Sequence, residues 1–366
     1  MLSPFRLYLI ILSIILSVSA CQPEIEITYL EADSPLIRYT GRINDRNPKA
    51  PVIYWPGSEM EVNFMGDSLK IILDDERGKN YFNIVMDEDS LRYIQMDSGR
   101  HTYLLAAGLT DQFHKIELIK RTEWDLGNTV IKGVELVNGK LSEPDLGNGR
   151  VIEFLGNSIT AGYAIEDDTG RDSPDSIYTN HYNTYGAITA RHFKADYIGT
   201  VKSGIGIMIS WFPEIMPEIY DRLDPADSAS HWEFSRITPD VVVINLFQND
   251  SWLIEMPKHP SFKQRFRDSP PDEEFIISAY IDFVSSIRDK YPEAMIICAL
   301  GSMDATREGS PWPVYVTEAV KRMKDKNIET LFFPYIQKGG HPRVEDNRKM
   351  AEKLIALIEE KTGWSP

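Results

Sequence analysis

Positive charge is in short supply. The 366 residues carry 39 Lys and Arg against 55 Asp and Glu, a formal net charge of −16. Nucleic-acid binding rewards Lys and Arg through phosphate contacts, so this balance argues against that partner class. It is indifferent to a neutral polysaccharide. The apolar run Leu7–Val18 is too short to span a bilayer comfortably. No cluster of His, Asp and Glu stands at metal-ligand spacing, so no metal and no cofactor is expected. Cysteine numbers two. Cys298 lies in the apolar run Ala294–Leu300 and reads as an inert residue of a buried strand. What is present, 42% apolar and 11% aromatic residues, describes a globular protein long enough for two domains.

Arg6 followed by Leu7–Val18 has the form of an export signal. It ends in Val18-Ser19-Ala20-Cys21, which resembles the bacterial lipobox, where the signal is cut before a cysteine that carries lipid. Residues 1–20 are therefore expected to be a lipoprotein signal peptide and Cys21 the lipidation site. The protein would be exported and membrane-anchored, at the outer membrane or cell surface. An ordinary secretory signal cut near Ala20 is the alternative. With Cys21 lipidated no internal disulfide is available, and stability must come from the core. The polar, Pro-punctuated residues 21–36 read as a tether.

Residues 37–144 show short strand-like runs, among them Ser68–Leu73, Tyr81–Met86, Lys115–Ile119 and Val130–Leu136. Gly, Pro and Asp separate them at roughly 8–15-residue spacing, the pattern of an all-β sandwich. Tyr54, Trp55 and Trp124 are candidate sugar platforms or core aromatics. Arg42, Lys120 and Arg121 read as solvated charges or edge protection. A Gly/Pro/Asp-rich connector precedes a second domain, residues 150–366.

That domain opens on Val151–Gly162, V-I-E-F-L-G-N-S-I-T-A-G. An apolar run that ends in Gly156-Asn157-Ser158 is a buried parallel strand delivering a serine into the loop before a helix. Ser158 is the candidate nucleophile. The polar insert Glu166–His181 follows, with Asp167, Asp168, Asp172 and Asp175; it reads as a solvated loop or a rim over the site. Further strands read at 195–201, 239–246, 294–300 and 330–333. They alternate with helices at 184–193, 272–290 and 314–326, and a last helix opens at Pro342. This alternation predicts a parallel sheet with loops converging on one edge. Ser158, Gly204, Asn249 and His341 all fall just after strands or just before helices, which places them on that edge.

Together the four segments resemble the SGNH, or GDSL-like, hydrolase superfamily: Gly156-Asn157-Ser158-Ile159-Thr160, Ser203-Gly204, Asn249-Asp250 and His341-Pro342. With Tyr39-Thr40-Gly41-Arg42, Lys120-Arg121-Thr122-Glu123 and Ile152-Glu153-Phe154, the resemblance is closer to carbohydrate esterase family 2, the acetyl xylan esterases. That family places a jelly-roll-like β-sandwich before a three-layer α/β SGNH domain. The resemblance implies an acyl-enzyme esterase removing O-acetyl groups from plant-type polysaccharide such as xylan or glucomannan. It implies Ser158 as nucleophile and His341 as base. The oxyanion hole would be the N–H groups of Ser158 and Gly204 with the Asn249 side chain, Gly206 being a weaker backbone alternative.

Three departures stand out. Asn157 replaces the usual Asp and is expected to shape the turn. Phe247 replaces the Gly that usually opens the third block, where it would crowd the acyl pocket or shift Asn249. Lys338 occupies the place of the acid three residues before the base. A carboxylate from elsewhere, or a main-chain carbonyl, must then orient His341. Two other readings compete: a carbohydrate-binding lipoprotein with an impaired site, and an SGNH esterase acting on another acyl ester.

Overall fold

The computed structural model describes residues 25–109, 112–336 and 339–366. The expected signal peptide, Cys21 and Lys338 lie outside the described residues. Among the described residues, two antiparallel sheets of six strands each come first. One is built around Ser68–Asp75 and Thr129–Val137, the other around Glu59–Met65, Tyr81–Met86 and His114–Lys120. In His114–Lys120, Ile116 and Leu118 are buried between the sheets while Lys115 and Glu117 alternate with them on the other face. The region read as a tether is, from Ile27, part of this fold. Ile27–Glu31 pairs antiparallel with Gly133–Val137, with Leu30 in the core. Only residues 21–24 of that stretch lie outside the description.

From Val151 the sheet is parallel. Its order is Asp196–Val201, Val151–Gly156, Val241–Asn245, Met295–Leu300, Ile328–Phe332. The three inner strands, Val151–Gly156, Val241–Asn245 and Met295–Leu300, are buried on both faces, which explains their largely apolar runs. Ile152, Phe154, Val241, Val243 and Ile297 face helices Tyr185–His192 and Val344–Thr362. Leu155, Val242, Ile244, Ile296 and Cys298 face helices Glu273–Lys290 and Trp312–Met323. Chain order reverses around Val151–Gly156, and ligand crevices of open α/β sheets form at the strand ends beside such a reversal.

Helix ends follow local chemistry. Thr184 and Asp272 cap their helices by accepting from the N–H groups of Ala187 and Phe275. The last helix starts at Val344, two residues later than Pro342, because Asp346 turns back to the Arg343 N–H. The buried stripe of Glu273–Lys290 is Ile276, Ile277, Tyr280, Phe283, Val284 and Ile287; Phe275 falls outside it and is exposed.

Most corrections to the sequence reading lie at the seam between the two parts. Arg42 is fully buried, not solvated: its guanidinium donates to Glu153 Oε1 at 2.7 Å and to Tyr220 O. Lys120 and Arg121 are buried as well. Trp55, offered as a sugar platform, is core, its indole N–H donating to Leu223 O at 3.0 Å; Tyr54 is buried and Trp124 half-buried against Trp55. Arg42, Arg121 and Trp55 find their partners in the other half of the chain, and Lys120 finds its own in Asn80 and the Glu123 and Gly127 carbonyls of the sandwich.

His181 also sits in this seam, fully buried with its ring edge-on against Tyr197. Burial pushes its pKa from the ordinary 6.5 down to about 3. The unfolded chain therefore takes up this proton below pH 6.5, whereas the folded chain resists it until about pH 3. Stability is lost through that window as pH falls, by on the order of 2 kcal/mol between pH 6.5 and 5. Urea unfolding at pH 7 and 5 will show this loss in the wild type, and His181→Gln will lack about that much of it. Equal acid sensitivity in both proteins would rule it out.

Candidate active site

Strand Val151–Gly156 ends against a single helical turn, Ser158–Ala161. Gly156 is required there, since a Cβ would lie 2.1 Å from Thr160 Oγ1. Asn157 caps the turn, its Oδ1 accepting the Ile159 N–H at 3.0 Å. This residue shapes the backbone around Ser158 and leaves the Ser158 hydroxyl facing the sheet edge.

His341 arrives from the loop after the last strand. Its Nε2 lies 2.8 Å from Ser158 Oγ and its Nδ1 lies 2.7 Å from Asp172 Oδ2. Asp172 is the residue that sequence reasoning missed. It belongs to the polar insert, which crosses over the edge so that this carboxylate reaches the imidazole. The same carboxylate accepts the His341 backbone N–H at 3.0 Å and Arg343 Nη1 at 3.1 Å. The side-chain hydrogen bond from His341, then its backbone N–H and the nearby Arg343, hold the Asp172 carboxyl well below the usual carboxylate range against the effect of burial. The insert is braced internally by Asp167, which accepts from Thr169 and Ser173.

One signal for Asp172 was present. Gly340 has φ +95°, and a Cβ there would lie 2.7 Å from Asp172 Oδ1. The glycine next to the histidine clears room for an acid arriving from outside the local motif. Tyr163 packs edge-on against the His341 ring with centroids 5.0 Å apart.

The Ser203–Gly204 loop follows strand Asp196–Val201. Gly204 has φ +82°, and Trp211 and Phe212 would crowd any side chain. The Gly206 N–H donates to Ser210 Oγ at 3.0 Å, so it is committed within its loop and is the poorer anion donor. Asn249 and Asp250 hold this loop from helix Gln248–Leu253. Asp250 accepts the N–H groups of Ile207, Met208 and Ile209, while Asn249 Nδ2 donates to Ile205 O at 2.8 Å. Trp211 Nε1 donates to Asn249 Oδ1 at 3.1 Å, which fixes the amide orientation. An NH₂ group has two donors, so one remains after Ile205 is satisfied.

Phe247 is in the left-handed region at φ +76°, the conformation that glycine adopts without strain. Its ring is fully buried between Tyr280 and Trp312, with centroids 4.7 and 4.9 Å away. It therefore occupies the helical core and not an acyl pocket. Trp211, exposed at 43%, borders both Gly204 and Asn249 and offers a flat apolar face beside them. The arrangement combines an activated hydroxyl, an oriented imidazole and donor-bearing loops on one edge, the parts needed for acyl transfer.

The family model described as Carbohydrate esterase 2 N-terminal matches residues 39–144. A solved family two carbohydrate esterase from Clostridium thermocellum, in complex with cellohexaose, is 32% identical with a TM-score of 0.80, over 90% of this chain and 99% of that one. The Cellulase/esterase CelE of Acetivibrio thermocellus is 32% identical over 351 residues, 91% of this chain. The match spans 40% of that protein's length. An acetylxylan esterase / glucomannan deacetylase of Cellvibrio japonicus is 22% identical over 92% of this chain and 91% of its own.

Proposed function

We propose that this chain, which belongs to carbohydrate esterase family 2, is a serine esterase that removes O-acetyl groups from plant-type polysaccharide or oligosaccharide. The observation that carries the reading is the line of contacts Ser158 Oγ, His341 Nε2, His341 Nδ1, Asp172 Oδ2, with hydrogen-bond distances of 2.8 and 2.7 Å. Similarity to proteins named for acetylxylan and glucomannan deacetylation supplies the substrate class.

Asp172, ionised, accepts the Nδ1–H of His341 and so leaves Nε2 free as the base. His341 takes the Ser158 proton as the hydroxyl oxygen attacks the acetyl carbonyl. The resulting oxyanion is held by the N–H groups of Ser158 and Gly204 and by the free amide hydrogen of Asn249. Loss of one such donor raises the barrier by about 2.7–4 kcal/mol in comparable enzymes. The sugar oxygen leaves with the proton from His341. Water then attacks the acetyl-serine by the same route, releasing acetate and restoring the hydroxyl. Trp211 provides a stacking surface for a sugar ring beside the donors.

The reading of an impaired carbohydrate-binding protein rested on Phe247 and Lys338. With Phe247 in the core and Asp172 at His341, both objections lose their force. Export and anchoring through Cys21 complete the proposal; they rest on the lipobox-like Val18–Cys21, and among the described residues no helix is long and apolar enough to cross a membrane.

The test is acetate release from acetylated xylan, acetylated glucomannan, acetylated peptidoglycan and a chromogenic acetate ester, alongside labelling by a fluorophosphonate. Release from the plant glycans, with one label per chain on Ser158, is expected. Preference for peptidoglycan would reassign the substrate, and silence on every ester with no label would remove the esterase reading.

A further inference from the structure

We infer that Glu123, a residue of the N-terminal β-sandwich, is a positioning residue for the oxyanion-binding loop of the α/β part. This deepens the esterase reading above and rests on it.

Glu123 is almost wholly buried, and both its oxygens are directed at one residue 80 positions away. Oε2 accepts the Ser203 backbone N–H at 2.6 Å, and Oε1 accepts the Ser203 hydroxyl. Ser203 immediately precedes Gly204. The peptide joining the two carries the Gly204 N–H, and with φ +82° at Gly204 the loop turns there. Anchoring Ser203 at two points therefore sets the direction in which that N–H points. Among the described residues no protein acceptor is recorded for it, as expected of a donor reserved for an anion.

The support for Glu123 is itself rigid. Lys120, fully buried at the end of strand His114–Lys120, donates through Nζ to Asn80 Oδ1 at 2.5 Å, Glu123 O at 3.3 Å and Gly127 O at 3.2 Å. Thr122 donates to the same Asn80 oxygen at 3.0 Å. On the other side Arg121 reaches into the insert that carries Asp172. It donates to Thr179 O at 2.8 Å and to Ile177 O, and pairs with Glu166. Four consecutive polar side chains are thus buried at one strand end. Apolar residues would be as stable or more so in a sandwich that needed nothing from them. Two of them reach loops of the α/β part, Glu123 the one bearing the Gly204 donor and Arg121 the one bearing Asp172, while Lys120 and Thr122 brace them from within the sandwich.

The experiment uses the full chain and a chromogenic acetate ester, comparing wild type, Glu123→Gln, Ser203→Ala and the double variant, with unfolding midpoints measured for each. Glu123→Gln keeps the shape and loses the paired acceptor. A drop in kcat of about 10–100-fold is expected, part of the 10²–10³ that a whole oxyanion donor supplies, with KM within about twofold. The phosphonate should still label every Ser158, at a rate lowered in proportion. Because Glu123 acts through Ser203, the double variant should be no slower than Glu123→Gln alone.

Folded variants with wild-type kcat would overturn the inference. So would a change in KM alone, or losses that simply multiply in the double variant. If Glu123→Gln fails to fold, Ser203→Ala decides: a several-fold fall in kcat upholds the role, and an unchanged kcat ends it. A wild type that neither cleaves esters nor labels at Ser158 instead removes the esterase reading, and this inference with it.

Discussion

Ser158→Ala will abolish acetate release at the resolution of an ordinary assay, lowering kcat by at least about 10⁴-fold, with losses near 10⁶ typical for a nucleophile in such a triad. Ser158 Oγ is the atom held at 2.8 Å from the imidazole, and the alanine methyl cannot form the acyl bond. What persists is the residual acceleration that donors and binding provide without a nucleophile. The folded state loses one hydrogen bond at a site that is 7% exposed, so the unfolding free energy should move by no more than about 1–2 kcal/mol. Acetate release and urea midpoints measured together check both parts. A residual rate within tenfold of wild type would assign the chemistry to a different nucleophile.

Asp172→Asn is the second large effect. The carboxylate only accepts, so it selects the tautomer with hydrogen on Nδ1 and leaves Nε2 as a base. An amide can donate to Nδ1 instead, which moves the imidazole hydrogen to the Nε2 facing Ser158. In a Ser-His-Asp triad this change costs about 10⁴ in kcat with geometry intact. We expect a fall of about 10³–10⁴ here, with KM little altered, because Asp172 touches the base and not the substrate. The measurement is steady-state kinetics on a soluble acetate ester. A fall under tenfold would mean that His341 works as one half of a dyad, with Asp172 only tethering the loop.

The placements of Ser158, Gly204, Asn249 and His341 were legible because each depends on local pattern: a buried apolar run, then a turn, then helical spacing. Strand Tyr81–Met86 and the burial of Cys298 were legible for the same reason. Asp172 was not. It is one of four aspartates in a polar insert, and the 169-residue separation from His341 leaves no periodic trace. Its mark was indirect, in Gly340, whose missing side chain makes room for the carboxylate.

The buried charges misled in the opposite sense. Arg42, Lys120 and Arg121 looked solvated because charged side chains usually are, and a sequence read locally cannot show a partner such as Glu153 across a domain seam. Ile27–Glu31 was read as tether for a related reason. Its short run, with Thr28 and Glu31 in it, is stabilised by pairing with Gly133–Val137, more than a hundred residues downstream. Phe247 stood where glycine is usual, and only the backbone angle together with the Tyr280–Trp312 pocket explains how a large ring is accommodated there.

The seam has a consequence for how such proteins can be recombined. Arg42 with Glu153, and Glu123 with Ser203, tie the sandwich to the strand that leads to the nucleophile and to the loop beside it. A chimaera joined in the connector between the two parts would transplant an intact Ser158, His341 and Asp172, yet it would inherit a foreign neighbour at both ties. The two halves are therefore not freely exchangeable: a change at position 123 or 42 in one half alters what the residue at 203 or 153 meets in the other. Recombination that respects the linker but ignores these pairs would leave Glu153 buried without its guanidinium and Ser203 without its acceptor.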